Sequence, residues 1–395
     1  MIFQTLDDKH MCPAVYADGQ IIKENFPKQL SQTWCYSSFL RDMQVDYAQL
    51  YCEGKSLDEV CPENLRPRWD KVSLKLKAFL RSFQESKIDL QQHCFFDLVP
   101  QSFLLEFCEI KNDITNHVFQ NFLRPKNYRF LLSLTKLIDD IKYRELNIDY
   151  ELLEANMANY RIRQLKKKVE KNRFIKYNIF GTKTGRLTTT KDSFPILTLD
   201  KKYRSLLKPN NDWFIELDFN AAEIRTFLSL AGKPQPEDDI HAWLGKAAFN
   251  GECDREMIKK NVFAWLYNPS AKNEYLDKIF DKNKVILDHY ANNIVVNPYE
   301  RKINSDMHHA LNYLIQSTTS DILLRRMIAI SEKLKERKTF VAFSIHDSVI
   351  LDFSDEDREI LLSIIEEFSN TELGRFKANI SVGKDFGNMR NLMVK

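Results

Sequence analysis

The sequence predicts an α+β fold, and three observations carry that prediction. An apolar run, WFIELDF, ends near Asp218 and leads into a helical pattern that bears Glu223 and Arg225. Two further β-type runs, residues 340–345 and 349–351, flank a short polar tip holding His346 and Asp347, the profile of a hairpin. Between residues 65 and 160 apolar residues recur instead at three- and four-residue intervals, the period of amphipathic helices.

Size and composition set the outer bounds. With 395 residues and 46.6 kDa the chain has room for two or three subdomains with sizeable cores. A 44% hydrophobic and 12% aromatic content describes a globular protein, and only ten glycines argue against an open Gly-rich phosphate-binding fold. The net charge of +3 permits nucleic-acid binding without demanding it. Seven cysteines (12, 35, 52, 61, 94, 108 and 253) are scattered, with no Cys-x-x-Cys pair, so neither zinc nor disulfides are expected. The N-terminus has no basic start followed by an apolar run, and no stretch approaches the ~20 apolar residues of a membrane span. A soluble protein of a reducing, cytoplasmic compartment is expected.

Along the chain, residues 1–6, 14–17 and 21–23 read as short strands, with a turn at Asp18-Gly19. Residues 69–84 and 128–140 read as helices. Residues 161–176 hold eight Lys or Arg against one Glu, either a solvated helix face or a phosphate-contacting strip, and their place directly before the next motif favours the strip. A Gly- and Thr-rich loop follows, residues 181–190, in which small residues admit a ligand close to the backbone and Arg186 can reach a base or sugar.

Asp218 at a strand end suits a divalent metal, because the sheet fixes the carboxylate while loops leave room for substrate; helix capping is the plainer reading. Arg255, Lys259, Phe263 and Tyr267 recur every four residues, so one helix face shows two cations and then two aromatics. A triphosphate fits the cationic end and a base and sugar the aromatic end, although an amphipathic core helix would read alike. Asp347 at the hairpin tip can face Asp218 and complete a two-metal site, or simply make an Asp-Ser turn. Asn312 and Gln316, again four apart, suit minor-groove acceptors of a duplex.

Together these pieces resemble the family A DNA polymerases, the group of bacterial DNA polymerase I and its phage relatives. TGRLTTT is similar to the family's T-G-R-L element, and DFNAAEIR to motif A. Asp239-Ile240-His241 is similar to its D-I-H element, the Arg255–Tyr267 face to motif B, and IHDSV to motif C. LNYLIQSTTSDIL resembles the helix that follows motif B in the family. The motifs keep the family order over residues 181–347, and the wording and size are most similar to a compact phage-type member.

The resemblance implies a right-hand polymerase with an antiparallel palm sheet, helical fingers and a helical thumb. It places an accessory region at residues 1–95, the thumb at 96–178, the palm at 179–232 and 300–395, and the fingers at 233–299. It implies template-directed DNA synthesis in phage replication, on primer–template DNA with dNTPs, by a monomer that leaves room for a separate exonuclease or processivity factor. Asp218 and Asp347, with the Phe219 carbonyl, would hold two Mg²⁺ ions, with Mn²⁺ able to substitute. Arg255, Lys259 and His241 would clamp the triphosphate, Lys259 donating the proton to the leaving group. Phe263 would pack on the incoming nucleotide, Tyr267 beside the template, and Glu223 below the sugar, where it excludes a 2′-hydroxyl. Arg186, Asn312, Gln316 and His346 would hold the duplex.

Four positions depart from the family pattern. Ser348 stands where motif C carries Glu, Asn268 where Gly follows motif B, and His308 where an Arg is frequent. The connection from Tyr267 to Asn312 is also short. Residues 1–98 contain no Asp-x-Glu, so no 3′→5′ exonuclease is expected. A single-subunit RNA polymerase would need space where Glu223 stands, a reverse transcriptase would want paired Asp at motif C, and a non-catalytic DNA-binding relative remains the different-class alternative.

Overall fold

The computed structural model describes residues 1–249, 254–268 and 271–392, so Cys253 lies outside the described residues. The chain divides into two compact units, Met1–Tyr143 and Arg144–Lys395.

In the first unit, Gln4–Thr5, Val15–Ala17 and Gln20–Ile22 form an antiparallel three-stranded sheet. Asp18 and Gly19 both take positive φ, 49° and 75°, as a two-residue turn matched to strand twist requires. Three helices, Arg66–Glu85, Gln101–Asn121 and Tyr128–Lys142, follow the apolar periodicity of the sequence. Trp69, Phe103, Leu104, Ile110 and Ile114 meet in the core of the first two. Cys12 and Cys94 form a disulfide with Cα atoms 5.5 Å apart, which corrects the expectation of no disulfide. The two lie 82 residues apart, and only the folded chain brings them together.

The second unit is built on a five-stranded antiparallel sheet. Its order is Phe340–Ile345, Ser348–Phe353, Trp213–Phe219, Ala378–Gly383, Arg390–Asn391. In the central strand, Leu217 and Phe219 are buried while Glu216 and Asp218 are half-exposed on the opposite face, the alternation of a strand with one wet side. Phe219 stacks on Phe368 with ring centroids 4.1 Å apart, which anchors that end of the strand. The 27-residue helix Met307–Lys333, ~40 Å long, is buried over most of its middle turns. It packs on the short helix Ala222–Leu230, where the Thr319 hydroxyl donates to Thr226 at 2.9 Å. Ile224, Phe227, Leu228, Trp265, Phe280 and Leu314 fill the core between these helices and Arg255–Tyr267. Among the described residues no helix is long and apolar enough to cross a membrane.

Candidate active site

Asp218 sits one residue from the end of the central strand, paired across the sheet with Ser348 on one side and Asn379 on the other. The helix that follows is capped at Ala221, in the left-handed region, with no side-chain cap bond, so Asp218 is not its cap. The Asn379 amide instead donates to the Asp218 carboxylate at 3.3 Å. Burial pushes the Asp218 carboxyl up to about 6; the Asn379 bond opposes the rise, and the negative charges of Glu216 and Asp347 add to it.

Asp347 occupies the two-residue turn of the hairpin, where His346 takes φ 54°. His346 is exposed and Asp347 half-buried. The Ser348 hydroxyl lies 3.0 Å from both a Glu216 carboxylate oxygen and the Ile345 carbonyl, tying the hairpin tip to the central strand. The Tyr177 hydroxyl adds a second tie: it donates to the Ser344 carbonyl at 2.5 Å and accepts from the Ser344 N–H.

Arg186 bridges the two carboxylate-bearing elements. Its guanidinium donates to Glu223 at 2.6 Å and stands 4.0 Å from Asp347. The Tyr267 hydroxyl donates to the other Glu223 oxygen. Burial raises the Glu223 carboxyl, against the opposing pull of Arg186. Gly185 makes the approach possible: its φ is 79°, and a Cβ there would fall 2.5 Å from the Arg301 guanidinium. Arg301 is itself fixed by the buried Asp321 at 2.6 and 3.0 Å. A cleft of about 420 Å³ gathers Arg186, Glu223, Tyr267, Gln316, His346 and Asp347 along its wall.

A second group lies along Arg255–Tyr267. Arg255 pairs with Asp239 at 3.1 Å. Asp239 also accepts from the His241 and Ala242 N–H groups and from the Asn220 amide. Although burial disfavours its charge, these bonds, led by Arg255, hold the Asp239 carboxyl far below the usual range. His241 is buried, its Nδ1 has no hydrogen-bond partner among the described residues, and burial lowers its affinity for a proton. Lys259 is exposed, and the rings of Phe263 and Tyr267 stack 5.9 Å apart at 8°. Asp218, Phe219, Arg255, Lys259, His241, Phe263 and Asn312 are not among the residues that line the cleft; Asn312 is half-buried, and among the described residues its side-chain carbonyl has no hydrogen-bond partner.

Arg225 was visible in the sequence as part of the motif A pattern, but its structural role, and the parts played by Glu216 and Asn379, were not. Arg225 is fully buried and donates to the carbonyls of Asn220, Pro236 and Asp238, which fixes the turn before Asp239. Glu216 and Asn379 enter through register alone. In the basic stretch, Arg161, Lys166, Arg173 and Lys176 pair with Asp200, Glu154, Glu145 and Asp192, which favours a solvated face at those positions.

The donor set fits a hard divalent cation. Asp218, Asp347 and the Phe219 carbonyl offer oxygen only, and Mg²⁺ commonly takes one or two carboxylates and completes its shell with water and substrate phosphates. Burial first, and then the charges of Glu216 and Asp347, raise the Asp218 carboxyl, so a cation placed beside it would favour its ionised form. Among the described residues no three His, Cys, Asp or Glu side chains converge on one cation position, so phosphate and water oxygens would complete the shell.

The chain is similar in three dimensions to the POL domain of Pol1 from M. smegmatis, whose structure is of a complex with DNA primer-template and dNTP. The TM-score is 0.65 over 98% of this chain and 95% of that one, at 12% sequence identity. No protein-family model and no curated protein matches the sequence. The likeness establishes the α+β, right-hand polymerase fold class that the sequence predicts.

Proposed function

We propose that the chain is a DNA-directed DNA polymerase of family A type, adding deoxynucleotides to a primer 3′-hydroxyl by two-metal phosphoryl transfer in phage DNA replication. One observation carries the reading: Asp218 at a strand end and Asp347 at the adjoining hairpin tip, with Asp347 opening onto a cleft that also holds Arg186, Glu223 and Tyr267. The primer-template and dNTP bound by the structural neighbour support the same partners here.

Asp218 and Asp347, with the Phe219 carbonyl, would hold two Mg²⁺ or Mn²⁺ ions. When bound, these supply Lewis acidity toward the primer hydroxyl and the leaving pyrophosphate. Arg255, Lys259 and His241 receive the triphosphate, and exposed Lys259 gives its proton to the pyrophosphate. The stacked Phe263–Tyr267 pair offers an aromatic face to the nucleotide, and Glu223, braced by Arg186 and Tyr267, closes the space a 2′-hydroxyl would need. Gln316, Asn312, Arg186 and His346 contact the duplex. The palm takes residues 179–232 and 300–395, the fingers 233–299 and the thumb 96–178.

Residues 1–95 carry no exonuclease in this reading, because they hold no Asp-x-Glu and two of their three candidate acids are paired with lysines. Asp7 is buried against Lys9 at 2.6 Å, Asp8 pairs with Lys142, and Asp18 forms a turn.

Primer extension on a defined DNA template with Mg²⁺ tests the proposal. Asp218→Asn and Asp347→Asn should each reduce dNTP addition on the order of 10³-fold while primer–template affinity stays near that of the parent. Equal loss of binding and extension would mean that the carboxylates are structural.

A further inference from the structure

We propose that Glu216 is a positioning residue for the metal carboxylates, its charge held beside them by Ser348 where the hairpin itself carries no third acid. The inference rests on the reading of Asp218 and Asp347 as metal ligands.

Strand geometry places the group. Side chains two apart on a strand share a face, so Glu216 and Asp218 point the same way from Cα atoms ~7 Å apart. Ser348 lies directly opposite Asp218 and therefore diagonal to Glu216, within reach of a long side chain. The contact is made: Ser348 Oγ is 3.0 Å from Glu216 Oε1. An ionised carboxylate only accepts, so the serine donates, and a charged acceptor outcompetes the Ile345 carbonyl at the same distance.

Among the described residues no Lys or Arg pairs with Glu216, and Ser381, its opposite neighbour, bonds to Asn391 instead. A half-buried carboxylate without a counter-ion raises the negative potential on its own face of the sheet. That face carries Asp218, and the hairpin tip beside it carries Asp347. Since no third acid converges with these two on one cation position, Glu216 acts through field and through the Ser348 tie, not as a direct ligand. The residue types are coupled for the same reason. An acid at position 348 would sit diagonal to Glu216, two like charges on one face, whereas a hydroxyl there turns the same approach into a hydrogen bond.

The test is Mn²⁺ binding to the metal-free full chain, read from the paramagnetic resonance signal of free Mn²⁺, without DNA or nucleotide. Glu216→Gln keeps an acceptor for Ser348 and removes the charge; it should weaken Mn²⁺ binding about five- to tenfold. Adding Ser348→Glu to Glu216→Gln should restore most of that affinity by placing a carboxylate on the same face of the sheet, opposite Asp218. Unchanged Mn²⁺ affinity in Glu216→Gln overturns the proposal. If Glu216→Gln lowers the melting temperature, the exchange variant Glu216→Ser/Ser348→Glu carries the test, and an affinity it fails to keep within twofold of the parent counts against it. Asp218→Asn and Asp347→Asn separate the two readings. Loss of Mn²⁺ binding in these but not in Glu216→Gln sinks only the role of Glu216, and no loss in either sinks the metal site itself.

Discussion

Arg186 donates to Glu223 at 2.6 Å and stands 4.0 Å from Asp347, so one guanidinium spans the carboxylates of a helix and a hairpin tip. Glu223 is buried and also accepts from Tyr267. A carboxylate braced from two sides is a rigid wall, and rigidity is what a steric filter against a 2′-hydroxyl needs. Glu223→Ala should raise ribonucleotide relative to deoxynucleotide incorporation on the order of 10- to 100-fold, the size of one well-placed contact. Competition between dNTP and rNTP on one template reads the ratio directly, and an unchanged ratio would remove Glu223 from sugar selection.

Gly185 controls where Arg186 can be. Alanine there meets both a left-handed backbone and the Arg301 guanidinium, which the buried Asp321 prevents from retreating. Gly185→Ala should cost roughly 1–3 kcal/mol in stability and weaken primer–template binding through displacement of Arg186. Denaturant unfolding and fluorescence anisotropy check the two parts separately.

The elements that carry these residues were legible because each writes its own local pattern. The apolar run ending near Asp218, the paired β-runs around His346-Asp347 and the four-residue recurrence from Arg255 all survive as strand, hairpin and helix. What stayed hidden depends on contacts distant in sequence. Glu216 meets Ser348 across 132 positions, Asn379 meets Asp218 across 161, and Cys12 bonds Cys94 across 82. None of these leaves a periodic trace, since register is decided by how whole strands pair. The Arg301–Asp321 support beneath Gly185 is hidden for the same reason; from sequence the glycine showed only small size.

Asp139 gives a pH signature in the first unit. It is buried, its Oδ2 has no hydrogen-bond partner among the described residues, and burial pushes its carboxyl up to about 7, Lys142 opposing and Asp8 and Asp140 adding to the rise. The folded state therefore holds a proton that the unfolded chain releases near pH 4. Stability from this group is present at acid pH and is lost as pH climbs from about 4 through about 7. Asp139→Asn, which cannot ionise, should be more stable than the parent at pH 8, by roughly 4 kcal/mol at most. The difference should close toward pH 4. A constant difference across that range would mean that Asp139 is ionised in the fold or already compensated.

Arg255 and Asp239 are paired, yet their substitutions should behave differently. Arg255 is exposed, and its pair with Asp239 is a surface ion pair that contributes little to stability. Asp239 caps the helix Ile240–Ala248 through two backbone N–H groups and also holds the Asn220 amide, so it secures the turn that follows the central strand. Arg255→Ala should therefore leave the melting temperature nearly unchanged while raising KM for dNTP about tenfold, the loss of one charge-assisted phosphate contact. Asp239→Ala should instead destabilise the protein by about 1–2 kcal/mol, the cost of a lost cap. It should also shift nucleotide binding less than Arg255→Ala does, because the freed guanidinium is still there for the triphosphate. Melting curves and steady-state KM for both variants, taken together, decide the matter. A large loss of stability in Arg255→Ala would make the arginine a brace for Asp239, and a KM unchanged in that variant would remove it from the triphosphate site.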